Sequence, residues 1–128
     1  MVVNYNGGAR VLRVIESLAA LAPEITEIIV ADNGSTDDSI AVIRARFPTV
    51  DVLELGANLG LPNARNAGLA RATSRYVLLL DADIYITPGC TAAMLDMAKR
   101  YAAAVVCPRI ILVPDGSIVQ CDGAAPHF

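Results

Sequence analysis

The sequence predicts an α/β domain, with a mostly parallel sheet, helices on both faces and a C-terminal hairpin. Three observations carry this expectation. Short apolar runs within 27–31, at 76–80 and at 103–107 have the length and continuity of strands buried on both faces of a sheet. Segments with apolar residues at helical spacing alternate with them, as in a parallel sheet joined by crossover helices. Polar clusters stand where strands end: Asn4-Tyr5-Asn6, Asp32-Asn33-Gly34-Ser35 and Asp81-Ala82-Asp83.

Taken in order, Met1-Val2-Val3 reads as the end of a strand, and Asn4 to Gly8 as a turn whose glycines permit unusual backbone angles. A helix follows over about 9–22, with Val11, Leu12, Ile15, Leu18, Ala19 and Ala22 on one face and Pro23 as its stop. The strand 27–31 leads into Asp32-Asn33-Gly34-Ser35. Ser35 is expected to cap the next helix, with Asp38 completing a capping box and Asp37 and Asp38 favouring the positive helix start. That helix runs to about Arg46. Residues 50–55 alternate apolar and acidic, which marks a strand near a sheet edge. Gly56 to Gly60 form a loop, and Pro62 suits the first turn of a helix over about 61–72. The run 76–80 is expected to be the central strand. Thr87 and Pro88 read as N-cap and N1 of a helix reaching Arg100, with Met94, Leu95 and Ala98 on its buried stripe. Residues 103–107 read as a further strand, and 109–113 with 117–121 as a hairpin around Pro114-Asp115-Gly116. No linker or repeat interrupts the chain, so one domain is expected.

Composition narrows the function. A chain of 128 residues, 55% hydrophobic, supports one core and excludes disorder. No apolar run nears the ~18 residues of a membrane span, and no signal-peptide pattern opens the chain. A cytoplasmic place is therefore expected, with the inner face of a membrane reachable through a partner. A net charge of −3 without a basic tract argues against nucleic acid as partner. Cys90, Cys107 and Cys121 are odd in number and widely spaced, so they are expected as buried thiols rather than a zinc or disulfide framework. The dinucleotide, P-loop and nucleophile-elbow glycine motifs are all absent.

The chemistry concentrates at the carboxyl ends of the strands, where open α/β sheets bind ligands. Two acids held one residue apart, Asp81 and Asp83, suit a hard divalent cation that prefers oxygen ligands, and such a cation can clamp a phosphorylated substrate. The plain alternative is that they close a strand and cap a helix. Right-handed crossovers bring the other clusters, and the Asn58 to Asn66 segment, to the same edge. The convergence describes carboxylates for a metal and for hydrogen bonds to a base, with Arg65 for phosphate. Singly, each cluster also reads as structure: Asp32 to Ser35 as turn and cap, Asn58 and Gly60 as loop formers, Arg65 as a solvated helix residue, Tyr5 as core. His127 stands in no pattern.

The order of these motifs resembles family 2 glycosyltransferases. The residues that carry the resemblance are Val3-Asn4-Tyr5-Asn6-Gly7, Val30 to Asp37, Asn58-Leu59-Gly60 with Ala64 to Gly68, and Leu80-Asp81-Ala82-Asp83. A weaker likeness, in Cys107-Pro108-Arg109 and Pro114 to Gln120, points to the rhamnosyltransferase-like branch. The resemblance implies a GT-A, Rossmann-like nucleotide-binding fold. It implies an inverting transfer of sugar from a UDP- or dTDP-sugar to a saccharide or lipid-linked acceptor, in cell-wall or polysaccharide biosynthesis. By the same resemblance Asn4 and Tyr5 line the base pocket, Asp32 hydrogen-bonds the base, and Asn58 belongs to the nucleotide site. Arg65 lies near base or diphosphate. Asp81 and Asp83 form the Asp-X-Asp pair, with Asp83 the direct ligand of Mg²⁺ or Mn²⁺.

Two departures from the family pattern stand out. The first strand is clipped, and the family's general base, an Asp or Glu, is expected beyond residue 128, since Asp96, Asp115 and Asp122 sit in unsuitable contexts. The catalytic base is thus unassigned, and the chain is expected to be a donor-binding half truncated at both ends. Apolar surface left by the missing parts implies a homo-oligomer. Two other classes compete: a nucleotide-sugar-binding module without chemistry, and a nucleotidyltransferase. The latter requires a Gly-rich basic loop, of which Gly7-Gly8-Ala9-Arg10 is a faint version.

Overall fold

The computed structural model describes residues 1–21, 24–112 and 118–121. The chain forms two compact units, Met1–Thr87 and Pro88–Phe128. The first holds β1 (Val2–Asn4), α1 (Gly8–Leu21), β2 (Ile29–Asp32), α2 (Ser39–Arg46), β3 (Asp51–Glu54), α3 (Leu61–Arg71) and β4 (Leu80–Asp81). Its sheet is parallel throughout, in the order β3-β2-β1-β4. Successive strands run outward from β1 to β3, and β4 then returns to the other side of β1.

Strand alternation builds two cores. Val2, Val30 and Leu80 point to one face, where Val11, Val14, Ile15 and Leu18 of α1 and Ile40 and Ile43 of α2 cover them. Met1, Val3, Ile29 and Ala31 point to the other face, against Ala64 of α3. Each fully buried Val or Ile, such as Val14 or Ile43, contributes about 1.5–3 kcal/mol relative to exposure. Burial on both faces explains why β1 and β2 read as continuous apolar runs rather than alternating ones. β3, at one end of the sheet, is half-buried, as its acidic alternation implied.

Several expectations are corrected. The interior strands of the sheet are β2 and β1, not 76–80. Only Leu80 of that run joins the sheet, in the two-residue β4 at the end of the strand order, and Tyr76 and Leu79 are exposed. Apolar continuity reports a tendency to be buried but does not name a neighbour. Residues 103–107 are not a strand, and Val105 is 84% exposed. There the backbone is committed to closing the preceding helix: Ala102 adopts φ 48°, Ala102 N donates to Lys99 O and Ala103 N to Ala98 O. The second helix starts at Ser39, after Asp38, rather than at Ser35. Cys107 is exposed and Cys90 half-buried, so neither is a core thiol.

The second unit contains α4 (Cys90–Arg100) and an antiparallel pair, β5 (Ile110–Leu112) and β6 (Ile118–Cys121). α4 begins after Gly89 in the left-handed region rather than at Thr87-Pro88. Ala98 is buried, and Met94 and Leu95 are half-buried. The expected hairpin turn at Pro114-Asp115-Gly116, with Asp122 and His127, lies outside the described residues. Among the described residues no helix is long and apolar enough to cross a membrane.

Candidate functional site

The carboxyl ends of β1 and β2 are joined by one hydrogen-bonded network. Asn4, with 0% exposure, has three acceptors within reach of its amide: Asp32 Oδ1 at 2.9 Å, Ser35 Oγ at 3.0 Å and Ser39 Oγ at 2.9 Å. Its own Oδ1 accepts from Gly7 N at 3.2 Å. A Cβ on Gly7 would stand 2.3 Å from that oxygen, so this turn excludes any side chain. The Asp32 carboxylate, 3% exposed, accepts in addition from Ser35 N at 3.1 Å and Ser35 Oγ. Burying a carboxylate is tolerable only with such donors. This is why Ser35, expected as a helix cap, is turned toward Asp32 instead.

Outside this buried centre the two loops are stitched again. Asn6, in the left-handed region at φ 50°, accepts from Thr36 N and Asp37 N through Oδ1, and Asn6 N donates to Ser35 Oγ. Asp37 accepts from Gly8 N at 3.0 Å and from Ser39 N and Oγ, so a single carboxylate serves the starts of both α1 and α2. Partial burial raises the Asp37 carboxyl, but these hydrogen bonds outweigh it and hold the group below its ordinary value.

The β3–α3 loop is fastened to the β2–α2 loop. Asn33 Nδ2 donates to Asn58 Oδ1 at 2.9 Å, and Asn33 Oδ1 accepts from Leu59 N at 2.8 Å. Gly34, at φ 79°, allows the loops to meet: a Cβ there would lie 2.6 Å from the Ala57 carbonyl carbon. At the end of β4, Arg65 Nη2 of α3 donates to Asp81 Oδ1 at 2.7 Å. Asp83 is exposed, and no hydrogen bond or ion pair holds it among the described residues.

β1 and β4 flank the point where the strand order reverses, the place where open α/β sheets bind ligands. A cleft of about 440 Å³ opens there, lined by Val3, Tyr5, Gly7, Arg10, Asn33, Asn58, Leu61, Asp81, Ala82 and Asp83. Of the residues singled out from the sequence, Tyr5, Asn58, Asp81 and Asp83 thus reach the cleft surface. Asn4, Asp32 and Arg65 do not line it: Asn4 is bonded to Gly7 and Arg65 to Asp81 in the wall, and Asp32 to Asn4 and Ser35 behind it. Tyr5 is 51% exposed rather than core.

A model of the family described as "Glycosyl transferase family 2" matches residues 1–119. The chain belongs to glycosyl transferase family 2. Among its relatives is the N-acetylglucosaminyl-diphospho-decaprenol L-rhamnosyltransferase of Mycobacterium tuberculosis, 32% identical over 127 residues, 91% of this chain and 41% of the relative. The succinoglycan biosynthesis protein ExoO of Rhizobium meliloti is 31% identical over 96% of this chain and 34% of its own length. Among solved structures, S. aureus TarS 1–349 in complex with UDP-GlcNAc superposes with a TM-score of 0.69 at 26% identity, over 79% of this chain and 30% of that one. The corresponding UDP complex gives 0.67 at 29% identity, over 77% of this chain and 32% of that one. The fold is that of the GT-A glycosyltransferases, and the rhamnosyltransferase-like resemblance is upheld. The chain spans about two fifths of the length of the first curated relatives it matches.

In this family 2 chain the sequence placed Asn6 and Asn33 in the strand-end clusters and Asp37 at a helix start without their bonds across the site, and it gave no sign of Ser39, or of Arg10 and Leu61 as lining. The side-chain bonds of the first four span two to 35 residues and leave no periodic trace. The only available signal was the density of Asn, Ser and Asp directly after β1 and β2. Among the described residues no group of three or more His, Cys, Asp or Glu side chains converges to hold a metal by itself.

Proposed function

We propose that these residues are the donor-binding part of an inverting, nucleotide-sugar-dependent glycosyltransferase. It uses a UDP- or dTDP-sugar and a saccharide or lipid-linked acceptor, in cell-wall or polysaccharide biosynthesis on the cytoplasmic side of a membrane. The observation that carries the reading is the meeting of Tyr5, Asn58, Asp81 and Asp83 in one cleft at the reversal of strand order, within a family 2 chain. The UDP and UDP-GlcNAc complexes of TarS support the donor class, and the Mycobacterium relative's name supports a lipid-linked acceptor.

The residues take distinct parts. Tyr5 offers an exposed ring to the base. Asp32 lies behind the cleft lining at 3% exposure; its Oδ2, with one donor bound, keeps an acceptor position for the N3–H of a pyrimidine that enters to this depth. Asn58, whose Oδ1 is bonded to Asn33 and Gly60 N, keeps its Nδ2 donor for the ligand. Asn4 holds Asp32 in place. Mg²⁺ or Mn²⁺ fits the remaining pair: Asp83 is unengaged and Asp81 keeps Oδ2, and one or two carboxylates plus substrate phosphate oxygens are a set that Mg²⁺ favours. Asp83, with Asp81 beside it, would hold such an ion, and the chemistry it would supply is neutralisation of charge on a diphosphate leaving group. Asp81 and Asp83 are the carboxylates that line the cleft among the described residues, and both serve the donor. We assign the base that deprotonates the acceptor to a part of the protein outside these 128 residues.

The test is calorimetry with UDP, dTDP and ADP. Pyrimidine diphosphates should bind at least about tenfold more tightly than ADP. The Asp32→Ala variant should lose that preference, since a hydrogen bond to a charged group contributes roughly 1.5–3 kcal/mol. Equal binding of UDP and ADP by the unsubstituted chain contradicts the reading.

A further inference from the structure

The cleft carries charge of both signs. Asp81 and Asp83 line it from β4 and the segment that follows, and Arg10 lines it from the first turn of α1. Arg10 is the one Lys or Arg in the lining among the described residues. It is exposed, and no hydrogen bond or ion pair engages its guanidinium among the described residues. The other groups that could hold an anion here are occupied. Arg65 Nη2 is bonded to Asp81 at 2.7 Å, and Arg65 does not line the cleft. The start of α1 is bonded within the protein: Gly7 N donates to Asn4 Oδ1, Gly8 N to Asp37 Oδ2 and Arg10 N to Gly7 O. The Gly7-Gly8-Ala9-Arg10 stretch thus keeps a guanidinium, rather than a cradle of backbone N–H groups, for an anion.

We propose that Arg10 binds a phosphate of the nucleotide directly, through a contact that needs no metal ion. This rests on the reading of the cleft as a nucleoside-diphosphate site. Tyr5 and Arg10 belong to the loop and helix that follow β1, and Asp83 follows β4, the strand beside it. A ligand with its base at Tyr5 and its phosphates toward Asp83 lies along the lining that Arg10 shares. A guanidinium brings charge and a planar fork of N–H donors that matches phosphate oxygens. An acid nearby would quench it, but α1 has none in its first turn. Asp37, which reaches the helix start from the β2–α2 loop, is bonded to Gly8 N and Ser39 instead. Exposed ion pairs are weak and bidentate ones stronger, so the contact contributes about three- to tenfold in affinity.

The experiment measures the binding of UDP and of uridine in EDTA by calorimetry, for the 128-residue chain and for Arg10→Gln, Arg10→Lys and Arg13→Gln. Arg13 is exposed on the same helix and does not line the cleft, so Arg13→Gln makes the same change in net charge away from the site. Arg10→Gln should bind UDP about three- to tenfold more weakly than the parent. Arg10→Lys, which keeps the charge but not the fork, should lose less than Arg10→Gln. Arg13→Gln should stay within about twofold of the parent, its charge being screened by water and salt. Uridine has no phosphate and should bind the parent and Arg10→Gln within about twofold of each other. A loss of UDP affinity matched by uridine or by Arg13→Gln overturns the proposal, as does an Arg10→Gln protein that binds UDP as the parent does. Should Arg10→Gln fail to fold, the parent decides: in EDTA it must bind UDP more tightly than uridine, and equal or weaker binding overturns the proposal. A parent that binds UDP with Mn²⁺ but not in EDTA overturns this inference alone. A parent that binds UDP under neither condition overturns the cleft reading with it.

Discussion

Asn4 carries the most consequential set of contacts at the residue scale, because one buried amide orders the Asp32 carboxylate and two serines at once. Replacing it by Ala leaves Asp32 Oδ1 with one donor fewer at a carboxylate only 3% exposed. We expect a loss of roughly 1–3 kcal/mol in urea unfolding, together with weaker UDP binding, although Asn4 does not line the cleft. An Asn4→Ala protein as stable as its parent would show that water replaces the amide. Gly34 is the second sensitive position. Its φ of 79° and the 2.6 Å approach to Ala57 leave no place for a methyl group. Gly34→Ala should therefore cost about 1–3 kcal/mol from backbone conformation alone, more once the Ala57 backbone is displaced. Much of this was legible at residue scale, since the polar clusters after β1, β2 and β4 are where the cleft forms. The depth of each residue was not. A string of letters does not tell whether Asn4 faces a ligand or a carboxylate behind the wall.

Elements are held at their beginnings by side chains from elsewhere. Neither α1 nor α2 has an acid in its first turn, and Asp37, just before α2, supplies both helix starts. Hydrogen bonding holds its carboxyl below the ordinary value near 3.9. A group depressed on folding adds stability that is complete above the unfolded value and is lost as pH falls through the lower folded value. The melting-temperature gap between the parent and Asp37→Asn should thus be full at neutral pH and shrink as the pH falls below the ordinary carboxyl value. A gap independent of pH would mean that the amide makes the same bonds and charge plays no part. The helices α1 and α3 were legible because Val11, Val14, Ile15 and Leu18, or Pro62 and Ala64, obey local rules. The strands at 76–80 and 103–107 were overread for the opposite reason. A strand exists through its partners, and Leu79 and Val105 are apolar residues without a ladder to join among the described residues.

For the whole molecule, a parallel sheet covered on both faces follows from the alternation of apolar runs and helical periods, and the order β3-β2-β1-β4 sets β1 beside β4. The division at Thr87 left no mark in the sequence, because Thr-Pro reads equally as a helix start. The residues of the proposed donor site all lie in the first unit, so the account separates donor binding from transfer. A product assay of the 128-residue chain with UDP- and dTDP-sugars, saccharide and lipid-linked acceptors and Mn²⁺ should show no acceptor-dependent turnover. Positioning can supply ~7–11 kcal/mol of a barrier and a general base ~10²–10⁴-fold in rate, and among the described residues the cleft carboxylates, Asp81 and Asp83, are both assigned to the donor. Turnover would show that a base lies within the chain. The central claim is that a nucleoside diphosphate binds at the β1/β4 cleft with a cation held by Asp83. Calorimetric titration of UDP, with Mn²⁺ and then with EDTA, tests it most directly. The account predicts binding strengthened by Mn²⁺ in the parent and most of that gain lost in Asp83→Ala; equal UDP affinity in Mn²⁺ and EDTA would contradict it.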